Sequence, residues 1–143
     1  RKADTTMIIQ TIRMKSVTAE GMGTLSVFEA EHDVPFAIKR IYYIHDVPAG
    51  VQRGGHAHKK LRQVLWCPYG KIRIRLDNGR EKTDVMLDDP TIGLVVEHYM
   101  WREMFWEQDN SVLCVAADSF YEAEDYIRDY DEFLNAIKGK DLD

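Results

Sequence analysis

Two histidines stand two residues apart behind a glycine-rich run, in Gly50-Val51-Gln52-Arg53-Gly54-Gly55-His56-Ala57-His58. Side chains on an extended segment repeat every second residue, so both imidazoles point to one face. The glycines let the backbone turn tightly and leave open space in front of the rings. Two imidazoles facing one cavity suit either metal binding or proton transfer near neutral pH. A chance pair on a solvated strand would do neither, so the surrounding residues decide.

The elements that must position this pair read mainly as short strands. Residues 7–14 form a first apolar strand, and Gly21-Met22-Gly23 breaks the chain. A strand is expected over 24–30 and another over 36–44, where Arg40 and Tyr42 share one face and Ile41 and Tyr43 the other. Asp46 to Gly50 is a loop leading to the histidines, and residues 63–67 form a buried strand ending at a Pro68-Tyr69-Gly70 turn. Residues 71–76 alternate, with Ile72, Ile74 and Leu76 inward and Arg73 and Arg75 outward as ordinary surface charge. Asn78-Gly79 predicts a type I′ hairpin turn. A return strand ends near Leu87, and two more are expected over 93–101 and 111–117. From 122 to 138, Tyr126, Ile127, Tyr130, Phe133, Leu134 and Ile137 recur at helical spacing and predict an amphipathic helix. Eight or more short strands at this spacing predict a closed barrel or jelly roll with one C-terminal helix.

The 143 residues are expected to form a single domain, residues 1–143, with 1–6 flexible. Apolar residues make up 45% and charged residues 30%, a soluble balance. The net charge of −5 argues against a nucleic-acid partner. No apolar run is long enough to cross a bilayer, so no membrane role is expected. No signal peptide is visible. Cys67 and Cys114 lie in strand-like runs and read as reduced core residues of a cytoplasmic protein.

The spacing around the histidines resembles the first motif of the cupin superfamily of small β-barrels. Gly50 is followed by five residues, His56-Ala57-His58, four residues, Gln63, six residues and Gly70. The motif's glutamate is here Gln63. Counting the second motif from Gly93 leads to Tyr99, Trp101 and then Met104, where a third histidine is absent. The resemblance implies an all-β, cupin-like jelly-roll barrel with a pocket at the histidines. Two imidazoles with an amide and a thioether would hold a divalent ion poorly, so no metal is expected. The pair is better suited to acid–base work.

A narrower resemblance is to the cupin-type nucleotide-sugar 3,4-ketoisomerases that act on dTDP-4-oxo-6-deoxyglucose. It rests on residues 36–44, on Arg53-Gly54-Gly55-His56-Ala57-His58-Lys59 with Gln63, on Gly93-Leu94-Val95, on Trp101-Arg102-Glu103-Met104, and on the tail from Tyr126 to Phe133. His98 departs from this pattern, where a proline is expected. The resemblance implies that a ketone moves from C4 to C3 of the sugar through an enediol, in the making of a dTDP-3-amino-3,6-dideoxy sugar. No cofactor is implied, because the sugar is only rearranged. His56 and His58 would carry the protons. Tyr42 and Arg40, on one strand face, are candidate donors to the enediolate, although Tyr42 also fits a half-buried barrel tyrosine.

The diphosphate implies a basic rim, for which Arg53, Lys59, Lys60 and Arg62 are candidates and Arg53 is preferred. Gln63 is expected among the substrate-binding residues. Trp101 fits either the sugar pocket or the core. A homodimer that exchanges residues 7–14 between subunits is expected. Two rival readings are a metal-dependent, dioxygenase-like cupin and a non-catalytic nucleotide-sugar-binding cupin.

Overall fold

The computed structural model describes residues 7–140; the expectation of flexibility for residues 1–6 lies outside them. Twelve strands run in order: β1 (Gln10–Arg13), β2 (Lys15–Ala19), β3 (Gly23–Val27), β4 (Arg40–Ile44), β5 (Gln52–His58), β6 (Gln63–Tyr69), β7 (Ile72–Asp77), β8 (Lys82–Leu87), β9 (Ile92–Val96), β10 (Trp101–Trp106), β11 (Val112–Ala117) and β12 (Tyr126–Ile127). Among the described residues a single α-helix, α1 (Tyr130–Lys138), follows. One sheet has the order β1-β9-β6-β11-β4 and the other β12-β5-β10-β7-β8, with β2 and β3 pairing as a separate hairpin. This is the jelly-roll, cupin-like barrel with a C-terminal helix that the sequence predicts. Among the described residues no helix is long and apolar enough to cross a membrane.

The inward faces of the sheets meet in one core that includes Leu65, Ile72, Ile74, Leu94, Trp106 and Val115. The alternation of β7 is as expected: Ile72, Ile74 and Leu76 are buried, while Arg73 and Arg75 pair with Glu107 and Asp84 outside. A smaller cluster, with Ala57, Trp101, Ile127 and Phe133, lies under α1.

Three elements differ most from the expectation, besides β2, which was not expected, and the strands expected over 24–30 and 36–44, which span Gly23–Val27 and Arg40–Ile44. The helix covers 130–138 rather than 122–138. Its N-cap is Asp129, whose carboxylate accepts from the Glu132 amide. Upstream, a 3-10 turn at Ala123–Asp125 leads into β12, whose Tyr126 and Ile127 pair with His58 and Ala57 of β5. Pairing with an open sheet edge overrides the helical spacing there. Second, the strand expected over 93–101 is two strands. Tyr99, at φ 55, turns the chain between β9 and β10 without a glycine or proline to announce it. Third, the Asn78-Gly79 hairpin is wider than a two-residue I′ turn. Asp77 pairs with Lys82, and the Asn78 side chain accepts the amides of Arg80 and Glu81, so only Gly79 of the pair takes positive φ. β1 pairs with β9 along the edge of its sheet.

Candidate active site

The glycines ahead of the histidines build a β-bulge. β10 pairs Arg102 with His56 but Glu103 with Gly54, which leaves Gly55 extra on β5. Gly54 and Gly55 have φ of 85° and 78°. A Cβ on Gly54 would stand 3.0 Å from the Arg102 carbonyl oxygen, so only glycine lets β10 come this close. The bulge sets His56 toward a cavity of about 350 Å³, lined also by Arg40, Tyr42, Arg53, Met104, Tyr126 and Arg128.

His56 and His58 stack edge to face with ring centroids 5.0 Å apart. His58 lies behind the cavity and is 1% exposed. Its Nδ1 donates to Asp125 Oδ2 at 2.9 Å. A carboxylate only accepts, so Nδ1 carries the proton and the buried Nε2, which has no other partner among the described residues, keeps its lone pair. Burial lowers both histidines, and the Arg102 guanidinium lowers them further. His56 is pushed down to about 3, with His58 and Arg128 adding to the effect. His58 is pushed down to about 4 although Asp125 pulls the other way. Both rings are therefore neutral bases at pH 7. Burial would raise the Asp125 carboxyl, but the Lys60 amide and His58 hold it below its ordinary value.

Tyr42 projects from β4 beside Arg40, whose guanidinium lies over its ring at 5.3 Å. Gln63 Nε2 donates to the Tyr42 hydroxyl at 3.0 Å, and Arg102 Nη1 donates to Gln63 Oε1 at 2.6 Å. Burial raises the Tyr42 pKa, while the bond from Gln63 lowers it. Arg102 is fully buried, and desolvation drops it to about 10.

Of the residues expected from the sequence, His56, Tyr42, Arg40 and Arg53 are brought to the cavity. His58 and Gln63 back it, each in contact with a residue that lines it. Lys60 pairs with Glu122 at 3.4 Å, and the other three are also placed elsewhere. Arg62 is taken up by Glu97, with Nε at 2.8 Å and Nη2 at 3.1 Å, and lies over the Phe36 ring. Lys59 is exposed. Trp101 is in the core under α1, against Tyr130 and Phe133. Met104, which stands at the expected third-histidine position, lines the cavity. Among the described residues no group of three or more His, Cys, Asp or Glu side chains could hold a metal ion.

Sequence reasoning missed Tyr126, Arg128, Asp125 and Arg102 as site residues. The first three fall in the segment whose spacing reads as helix. There Tyr126 packs on His56 and His58, at 5.1 and 4.4 Å between centroids, and the Arg128 guanidinium lies over its ring at 4.0 Å. Arg102 sits on β10, the strand hidden by the Tyr99 turn. The one available signal was its place in Trp101-Arg102-Glu103-Met104.

A cavity lined by one neutral imidazole with a second behind it, two phenols and three arginines can exchange protons on a bound anion. The family model described as FdtA: WxcM-like, C-terminal, matches residues 7–138. The chain is 42% identical over 118 residues to the TDP-4-oxo-6-deoxy-alpha-D-glucose-3,4-oxoisomerase of Aneurinibacillus thermoaerophilus, covering 82% of this chain and 85% of that one. It superposes with a TM-score of 0.89 on QdtA, a sugar 3,4-ketoisomerase from Thermoanaerobacterium thermosaccharolyticum solved in complex with TDP, at 40% identity over 94% of this chain and 97% of that one. A 3,4-ketoisomerase from Helicobacter canadensis matches equally well, with TM-score 0.89, 40% identity and coverage of 93% and 99%.

Proposed function

The chain belongs to the FdtA family and is a sugar 3,4-ketoisomerase acting on a dTDP-sugar, and on that premise we propose that it moves the ketone of dTDP-4-oxo-6-deoxyglucose from C4 to C3 by histidine acid–base catalysis. The observation that carries this reading is His56, neutral at pH 7 and facing the cavity beside the Tyr42 hydroxyl.

His56 is the group placed to take the proton on C3, which the neighbouring C4 carbonyl acidifies. Tyr42 donates to O4 as the negative charge moves there, giving an enediol. O3 then gives up its proton and C4 receives one, which leaves a ketone at C3 and a hydroxyl at C4. Atoms and electrons balance within the sugar. His58, held by Asp125, keeps an unprotonated Nε2 behind His56 and serves as the second base or relay. Arg53, Arg40 and Arg128 supply charge for the diphosphate at the cavity wall. A 3-keto product is the form that amination at C3 consumes, which supports a place in making a dTDP-3-amino-3,6-dideoxy sugar. The two free thiols, Cys67 and Cys114, suit a reducing compartment such as the cytoplasm.

The same reading extends to a homodimer in which residues 7–14 pass to the partner. β1 is an edge strand, and the β2–β3 hairpin that follows presents Val17, Met22 and Leu25 to solvent. Light scattering that reports a monomer at micromolar concentration counts against it.

Incubation with dTDP-4-oxo-6-deoxyglucose in heavy water, followed by NMR, tests the chemistry. Deuterium at C3 of the recovered substrate and a 3-oxo product are expected. Binding without exchange or product would overturn the isomerase reading.

A further inference from the structure

We propose that Gln63 and Arg102 are positioning residues that aim the Tyr42 hydroxyl proton into the cavity, a role that rests on Tyr42 donating to the sugar oxygen as described above. A guanidinium has donors only. Arg102 Nη1 donates to Gln63 Oε1, which fixes the amide with its oxygen toward Arg102 and its NH₂ away. That NH₂ donates to the Tyr42 oxygen. The phenol therefore accepts on its protein side, and its own proton is left for the cavity it lines. Arg102 is held in place by a second bond, from Nε to the Met100 carbonyl at 3.1 Å, and by complete burial.

The order of donors runs one way: guanidinium to amide, amide to phenol, phenol to ligand. A carboxylate at position 63 would reverse the last step. It would accept from Arg102 and also from Tyr42, and the hydroxyl proton would turn away from the cavity. The amide also suits a hydroxyl that must give up its proton and recover it, because a donor to the phenol oxygen favours the phenolate.

Gln63→Glu tests the idea. The new carboxylate has nearly the same volume and meets the Arg102 cation, so the fold is expected to persist with an unchanged thermal midpoint. The expected result is a kcat lower by about 10²–10³-fold, the cost of an oxyanion donor turned away, with KM and dTDP affinity close to wild type. Ultraviolet titration of the tyrosines, with Tyr42→Phe as the blank, should show Tyr42 ionising at higher pH than in the wild type. The double variant Tyr42→Phe, Gln63→Glu should be no slower than Tyr42→Phe alone, because the second change acts only through the hydroxyl already removed. Wild-type kcat in Gln63→Glu, or losses that multiply in the double variant, overturns the positioning role.

If Tyr42→Phe is slow while Gln63→Glu is normal, only the positioning role falls. If Tyr42→Phe itself turns over normally, the catalytic reading of Tyr42 fails and the positioning role with it. Should Gln63→Glu not fold, Gln63→Met keeps a similar volume and removes the donor to the phenol oxygen while leaving the Arg102 charge beside the histidines. It should give a smaller kcat loss that is likewise absent on the Tyr42→Phe background, and multiplying losses there overturn the proposal.

Discussion

The outer face of β7 and the wall of the cavity both gather arginines, and their surroundings differ in kind. Arg73 and Arg75 are closed off by Asp84 and Glu107, with nitrogen–oxygen distances of 2.8 to 3.2 Å. Arg40, Arg53, Arg102 and Arg128 have no carboxylate in ion-pair contact among the described residues. Arg40 and Arg128 lie instead over tyrosine rings, Arg102 bonds an amide, and Arg53 stands exposed at the cavity. Paired arginines on a solvated sheet add little to stability and nothing to recognition. Unpaired ones around a cavity leave a positive field that an anionic ligand completes, and that field adds to burial in keeping both histidines unprotonated. One array is a neutralised surface. The other is a site whose counter-charge comes from outside the chain.

The sharpest way to break this contrast is to remove the base that burial and the positive array together keep neutral. His56→Asn keeps the shape and cannot take a proton, so kcat should fall on the order of 10²–10⁴-fold with dTDP binding nearly intact. His58→Asn should also lower kcat. Following C3 deuterium exchange apart from product formation assigns the roles: loss of both marks the base, and exchange without product marks the C4 donor. Near-normal turnover in both variants would reduce the pair to cavity lining.

The arginines themselves come next. Arg53→Ala should weaken dTDP binding by about 1.5–3 kcal/mol, the loss of a charge-assisted hydrogen bond, and should change kcat less. Arg75→Ala should leave dTDP affinity unchanged in the same titration calorimetry. Equal effects from the two would erase the distinction between the arrays.

A smaller effect is on stability against pH. Folding holds His56 at about 3 and His58 at about 4, below the ordinary value of 6.5. The unfolded chain takes up protons that the folded one refuses once the pH drops below 6.5. The stability present above that pH is thus lost progressively toward pH 4. The thermal midpoint should fall over that window, and His56→Asn should flatten the fall. A wild-type midpoint independent of pH from 7 to 4 would mean that the imidazoles protonate freely in the folded state.

The smallest expected effect is none. EDTA treatment should leave turnover unchanged, because Gln63 is engaged by Arg102 and Tyr42 and His58 Nδ1 by Asp125. Loss of activity restored by a divalent ion would show that these side chains rearrange around a metal.

Local pattern was enough to find the barrel, because a period of two along β7 and the Gly-Gly-His-Ala-His run are properties of neighbouring residues. For the same reason Arg40 and Tyr42 could be placed on one face of one strand, and His56 and His58 on one face of another. Tertiary structure decided the rest. Residues 122–129 have helical spacing, yet the open edge of β5 takes Tyr126 and Ile127 as a strand, and only that pairing sets Tyr126 and Asp125 against the histidines. Arg62 looks as available as Arg53 in sequence, but Glu97, 35 residues away, claims it. Gln63 reads as a lone amide until Arg102, 39 residues on, gives it direction. Sequence spacing carries the direction of a side chain along its own element; which group meets it there depends on how distant strands are brought side by side.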